Sequence, residues 1–163
     1  LAEQWAGVSQ EPVAVPYMEE AVLYFLRSCE VLTLDWKQML EQAANAPEPE
    51  NLLAYTPALD QEIRLFTMDM LYRYYLRAAY AETPEAEISP VQMAAFSVCV
   101  VLLYSRRLGF HTAEQRLRIW QLFVKEIEYD GNNLEELEWQ LETNAAFSPA
   151  AFRAYFASPG GVQ

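Results

Sequence analysis

The chain has 163 residues, with 11 Lys+Arg against 23 Asp+Glu and a formal charge of -12. Hydrophobic residues make up 53% and charged residues 21%, enough apolar side chain for one packed domain and too much for wholesale disorder. A pI near 4.4 repels phosphate backbones and anionic lipid, which argues against nucleic-acid and membrane-surface binding.

Two cysteines, Cys29 and Cys99, make neither a disulfide framework nor a zinc site. Five glycines include no Gly-rich phosphate loop. The first twenty residues carry Glu3, Glu11, Glu19 and Glu20 and no Lys or Arg, the wrong charge pattern for a secretory leader. The longest apolar stretch, 93–104, is interrupted only by Ser97 and falls short of the ~20 residues that span a bilayer. A cytoplasmic protein with reduced thiols is the expectation. A start at Leu1 rather than Met suggests a piece of a longer reading frame.

In chain order, Pro12 and Pro16 mark an irregular leader over 1–16. Helical spacing of Ala21, Tyr24, Phe25, Cys29 and Leu32 then predicts a helix over about 17–31. Thr33 caps a second, with Asp35 and Trp36 in its first turn, running to about Ala44. Residues 45–51, with Pro47, Pro49 and two Glu, read as a mobile acidic loop. Thr56-Pro57 opens a long helix to about Tyr80. Ile63, Phe66, Met70, Tyr74 and Arg77 lie along one line of it, and Leu65, Met68, Tyr72, Leu76 and Ala79 along another. Apolar residues on both predict burial over much of its circumference.

Residues 83–87 read as a polar loop. Ser89-Pro90-Val91-Gln92 is a capping box with Pro at the first position, and Gly109 follows Arg106, Arg107 and Leu108 as a helix stop. The valine-rich run 98–103 has strand propensity, but the two end signals and the length favour a central buried helix. Thr112 to Gln115 is a second capping box, opening a helix to about Tyr129 with Leu117, Trp120, Phe123, Val124 and Ile127 as its stripe. Asn133 with Glu136 opens another, carrying Leu134, Leu137 and Leu141. Ser148-Pro149 opens a last one through Phe156, and 158–163 is a frayed tail. The fold class is all-α, an irregular bundle of about seven helices in one domain over 17–157, with no internal repeat.

Few residues invite chemistry. His111, the only histidine, sits between a helix stop and a cap with no partner for a nucleophile pair or a metal, and reads as a turn residue. Cys99 lies in the apolar helix, the reverse of an activating environment, and Glu30 beside Cys29 raises that thiol's pKa. Glu126, Glu128, Asp130, Glu135, Glu136, Glu138 and Glu142 read as a solvated face, since Asp130-Gly131-Asn132-Asn133 is too short for a calcium loop. The richest cluster is Asp69, Tyr72, Arg73, Tyr74, Tyr75, Arg77 and Tyr80. Asp69 and Arg73 are i, i+4 neighbours. Tyr and Arg of this kind serve interfaces, or the helix simply packs with its hydroxyls at the edge. Asp69, Tyr72, Arg73, Tyr75, Arg77 and Tyr80 form the candidate interaction face.

Three stretches carry a family resemblance over about 17–156. Residues 26–36, with Leu26, Glu30, Val31, Leu32 and Trp36, resemble the helix–turn–helix segment of flagellin lysine-N-methylase-like (FliB-like) proteins. Residues 71–80, with Tyr72, Arg73, Tyr74, Ala79 and Tyr80, are similar to that family's tyrosine–arginine–aromatic helix. Residues 126–134, with Glu126, Ile127, Glu128, Asn133 and Leu134, resemble its closing motif, Tyr129 standing where a histidine is usual. The resemblance implies the C-terminal helical region of an S-adenosylmethionine-dependent protein lysine N-methyltransferase, a structural or substrate-positioning part inactive alone. It implies an upstream N-terminal half with a cysteine-rich segment and an iron–sulfur cluster, and a lysine-bearing protein substrate. Nothing here matches the cysteine-rich segment, so no catalytic residue, metal ligand or cofactor is carried over to this fragment. A second reading is a non-catalytic all-α interaction module. A third, a small-ligand regulatory domain, requires a pocket between helices.

Overall fold

A computed structural model describes residues 15–47, 53–54, 56–79 and 90–157. They form seven α-helices: α1 (Val15–Ser28), α2 (Leu34–Asn45), α3 (Pro57–Ala79), α4 (Pro90–Leu108), α5 (Ala113–Phe123), α6 (Gly131–Thr143) and α7 (Pro149–Ala157). A π-helical turn, Val124–Glu128, prolongs α5, and a 3-10 turn, Ala145–Phe147, links α6 to α7. There is no strand among the described residues. The acidic loop beyond Pro47, the 83–87 loop, Ser89, Tyr80, the leader before Val15 and the tail after Ala157 lie outside them.

The helix signals are realised as hydrogen bonds. The Thr33 hydroxyl accepts the Trp36 N–H, Thr56 accepts that of Leu59, and Ser148 that of Ala151. Thr112 and Gln115 close a reciprocal capping box. Gly109 ends α4 at φ 65°, a backbone shape that costs an L side chain. There the Phe110 N–H bonds to Ser105 O at 2.8 Å and the Gly109 N–H to Arg106 O at 3.4 Å, which closes the last carbonyls. Two boundaries move. α1 starts at Val15, so Pro16 sits in its first turn, where a missing N–H is harmless. α6 is capped by Asp130, whose carboxylate accepts the Asn133 N–H, so Asn133 is a first-turn residue and not the cap.

α4 is the axis of the molecule, buried along most of its length from Met93 to Ser105. Its β-branched run is helical because neighbours cover it on all sides, and tertiary burial overrides strand propensity. The whole 19-residue helix is long and apolar enough to cross a membrane by length and composition, which the run 93–104 alone is not; here most of it is covered by protein. Its hydroxyls bond within the helix, Ser97 to Met93 O and Ser105 to Val101 O. Phe96 meets Phe25 of α1, Phe123 of α5 and Phe147, with ring centroids 5.5, 6.2 and 5.2 Å away. Trp36 stacks on Tyr104 and Phe66 on Trp120. These rings tie five helices and the 3-10 turn to one core, where each buried large side chain contributes about 1.5–3 kcal/mol.

The expectation for α3 is overturned on one side. Phe66, Met70 and Tyr74 are buried, but Leu65, Met68, Tyr72 and Tyr75 are 57%, 66%, 68% and 67% exposed. Only one line of the helix packs on the core.

Candidate functional site

The features worth weighing as a site cluster where the α1–α2 turn, α3 and the π-helical turn meet. In that turn the Tyr129 N–H reaches back to Val124 O, five residues earlier. The wider turn carries both Glu126 and Ile127 inward, each with 0% exposure. Such insertions into a helix commonly mark sites where geometry is specialised.

Glu126 is therefore not part of a solvated acidic face. One of its carboxylate oxygens accepts the Leu32 N–H at 2.7 Å and the other takes the Thr33 hydroxyl. With its proton given to Glu126, the Thr33 oxygen keeps a lone pair for the cap of α2. Asn133 completes the knot. Its amide donates to Glu30 O and Glu126 O, and its carbonyl accepts the Glu30 N–H, all at 2.8 Å. A buried carboxylate needs such partners, since unpaired it costs far more than a neutral group.

Glu128 also leaves the solvated face, by pairing with Arg73 at 3.0 Å, while Arg73 holds Asp69 at 2.7 Å. Burial lowers the Arg73 pKa, but the two carboxylates more than offset it and hold the guanidinium above its ordinary value. Burial raises the Glu128 carboxyl, and Arg73 only partly counters that. Glu135, Glu136 and Glu142 remain exposed, as expected.

The candidate interaction face thus divides. Asp69 and Arg73 form an ion-paired knot with Glu128, and Tyr72 and Tyr75 stand exposed beside it. Arg77 belongs to the last turn of α3, but its side chain, like all of Tyr80, lies outside what is described. Leu65 and Met68 extend the exposed stripe toward the N-terminal end of α3, a signal hidden in sequence because apolar residues on two lines of a helix look alike whether covered or not.

The remaining reactive groups are held inert. Cys99 is buried with its Sγ 3.9 Å from the Met18 Sδ, and burial pushes its thiol up. The Cys29 thiol is pushed up to about 12 by burial first, then by Glu136 and Asp130; the direction is the expected one, but these carboxylates supply the charge. His111 is exposed in the α4–α5 turn, its backbone N–H donating to Gln115. No group of three or more His, Cys, Asp or Glu among the described residues is placed to hold a metal ion. An iron–sulfur cluster typically takes four cysteine ligands, and the chain has two cysteines. What the arrangement does well is fix one end of the bundle and present an apolar stripe beside an ion-paired knot. No protein-family model, curated protein or solved structure matches the chain.

Proposed function

We propose that this chain is the C-terminal helical region of a lysine N-methylase-like protein, and that the outer face of α3 docks the upstream half carrying the methyl-transfer machinery. The observation that carries this reading is the exposed stripe Leu65, Met68, Tyr72 and Tyr75 beside the Arg73 knot. Large apolar side chains flanking an arginine are the composition of an interface centre. Support also comes from the three stretches that resemble the family. Far apart in sequence, they bond directly to one another: Glu126 to Leu32 and Thr33, Asn133 to Glu30, and Glu128 to Arg73.

On this reading the chain contributes position and not chemistry. S-adenosylmethionine and an iron–sulfur cluster are what the resemblance implies for the full-length protein, the cluster in its cysteine-rich upstream segment, and the acidic surface attracts a lysine-bearing substrate at long range. The test begins with the reading frame upstream of the Leu1 codon. A compact cysteine cluster there leads to a lysine-methylation assay of the full protein without oxygen. In that protein Arg73→Ala should weaken association between the halves or with substrate while helicity stays intact. Undisturbed binding in a folded variant sinks the role given to this face.

The alternative, a non-catalytic interaction module, is favoured by the core around Phe96, where Phe25, Phe123 and Phe147 of three other elements meet it. It takes over if the upstream frame holds no cysteine cluster.

A further inference from the structure

A second surface feature is independent of the α3 face. Between α1 and α2 runs a groove of about 690 Å3 whose walls include Glu20, Tyr24, Arg27 and Ser28 of α1 and Arg107 of α4. That volume lies in the range of small-molecule sites. A smaller groove of about 180 Å3 shares Arg27 and Ala44 with it and adds Lys37 and Glu41, whose charges offset each other.

The charge balance at this groove is unusual for so acidic a chain. Buried behind it, the single Glu19 carboxylate pairs with Arg106, lies 3.8 Å from Arg107 Nη2, and accepts the Tyr155 hydroxyl at 3.3 Å. Arg107 also donates to Ala46 O at 3.3 Å, and its Nε is buried without a hydrogen-bond partner. Counting Glu20, Arg27 and Arg107 on the wall with Glu19 and Arg106 behind it, two carboxylates face three guanidiniums and one positive charge remains. No ion pair among the described residues involves Arg27 or Lys37. By contrast Arg64, Arg73, Arg116 and Arg118 each hold a carboxylate.

We infer that this groove binds a small phosphate monoester of nucleotide size. The phosphate sits on the donor fork of Arg27, with Arg107, whose Nη1 serves Ala46 O and whose Nη2 faces Glu19, adding charge from behind. The groove is too large for a bare ion, and the Tyr24 ring, 78% exposed at its rim, offers a flat apolar surface to a base. Glu20 on the same wall repels a second anion and accepts hydrogen bonds from sugar hydroxyls or amino groups. A longer polyanion is disfavoured by that carboxylate and by the charge of the whole chain.

The test is calorimetric titration of the intact chain with AMP, adenosine and inorganic pyrophosphate. AMP is expected to bind saturably and to raise the melting temperature, with adenosine at least tenfold weaker. Arg27→Gln, at an exposed position that should not disturb folding, should weaken AMP roughly tenfold, the scale of one charge-assisted hydrogen bond. Tyr24→Ala should weaken AMP, and pyrophosphate, whose second phosphate meets Glu20, should bind the parent more weakly than AMP does. The proposal is overturned if AMP shows no saturable binding at millimolar concentration, if adenosine binds as well as AMP, or if Arg27→Gln binds as tightly as the parent.

Discussion

Asn133 holds the Glu30 peptide from both sides, accepting its N–H and donating to its C=O, each at 2.8 Å. The two residues are 103 positions apart, so one side chain fixes the turn between the first two helices against the start of the sixth. Asn133→Ala removes both bonds to the partly covered Glu30 backbone and leaves the Glu126 carbonyl without this partner in a buried site. The expected loss is about 2–3 kcal/mol, the scale of unsatisfied buried polar groups. Asn133→Asp keeps the acceptor, loses the donor and adds a charge near the Asp130 carboxylate, so it should be no milder. Urea denaturation of both variants checks this, and a loss under about 0.5 kcal/mol for Asn133→Ala, the level of an ordinary surface change, would show that the knot is incidental.

The outer face of α3 should behave in the opposite way. Leu65→Gln and Met68→Gln keep strong helix formers and remove apolar area that is mostly exposed. Stability should change by less than about 0.5 kcal/mol for each. Binding to an upstream half, where one exists, should weaken, because a stripe of this kind acts only when covered. Destabilisation well beyond that limit would place the stripe inside the fold and remove it as a docking face.

Sequence carried the architecture because helix ends are local chemistry. Thr33, Thr56, Thr112 and Ser148 declare starts, and Gly109 declares a stop, through bonds spanning three to five residues. Where sequence misled, the cause was long-range. Glu126 looks like one more surface acid among seven until Leu32 and Thr33, on another helix pair, are brought to its carboxylate. The π-helical turn has no propensity signal of its own. The α3 stripe failed for a related reason, since apolar spacing reports that a face is apolar and not that something covers it. Arg27 and Arg107, which share a groove, lie on α1 and α4, and no spacing rule joins them.

The two thiols should be slow to react. Cys99 is enclosed beside Met18, and Cys29 is pushed up to about 12 by burial and by Glu136 and Asp130. Only the thiolate attacks, so at pH 8 Cys29 should be alkylated by iodoacetamide far more slowly than a free cysteine, whose pKa is about 8.5. Glu136→Gln and Asp130→Asn remove the secondary causes and leave burial, so each should speed alkylation only modestly. Labelling followed by mass measurement gives the rates. Modification of Cys29 as fast as free cysteine would mean that the turn above it opens readily, contrary to the closure by Asn133.

Glu128 gives the fold a pH dependence whose sign can be worked out. Burial raises its carboxyl above the ordinary value and Arg73 recovers only part of the shift, so the native state holds this proton more tightly than the unfolded chain does. Between the ordinary carboxylate value and the raised native one, folding takes up protons, and the contribution of Glu128 to stability falls as pH rises. Above the native value the carboxylate is charged in both states and its burial cost is fully present. Glu128→Gln removes that cost, and Arg73 still keeps Asp69 at 2.7 Å. At neutral pH the variant should lie within about 1 kcal/mol of the parent or above it, as when a partly buried ion pair is replaced by a neutral group. Relative to the parent it should gain stability from about pH 4 upward, starting near the ordinary carboxylate range. Denaturation midpoints across that range measure the difference directly. A parent that gains on the variant as pH rises would show that attraction to Arg73 outweighs the burial of Glu128.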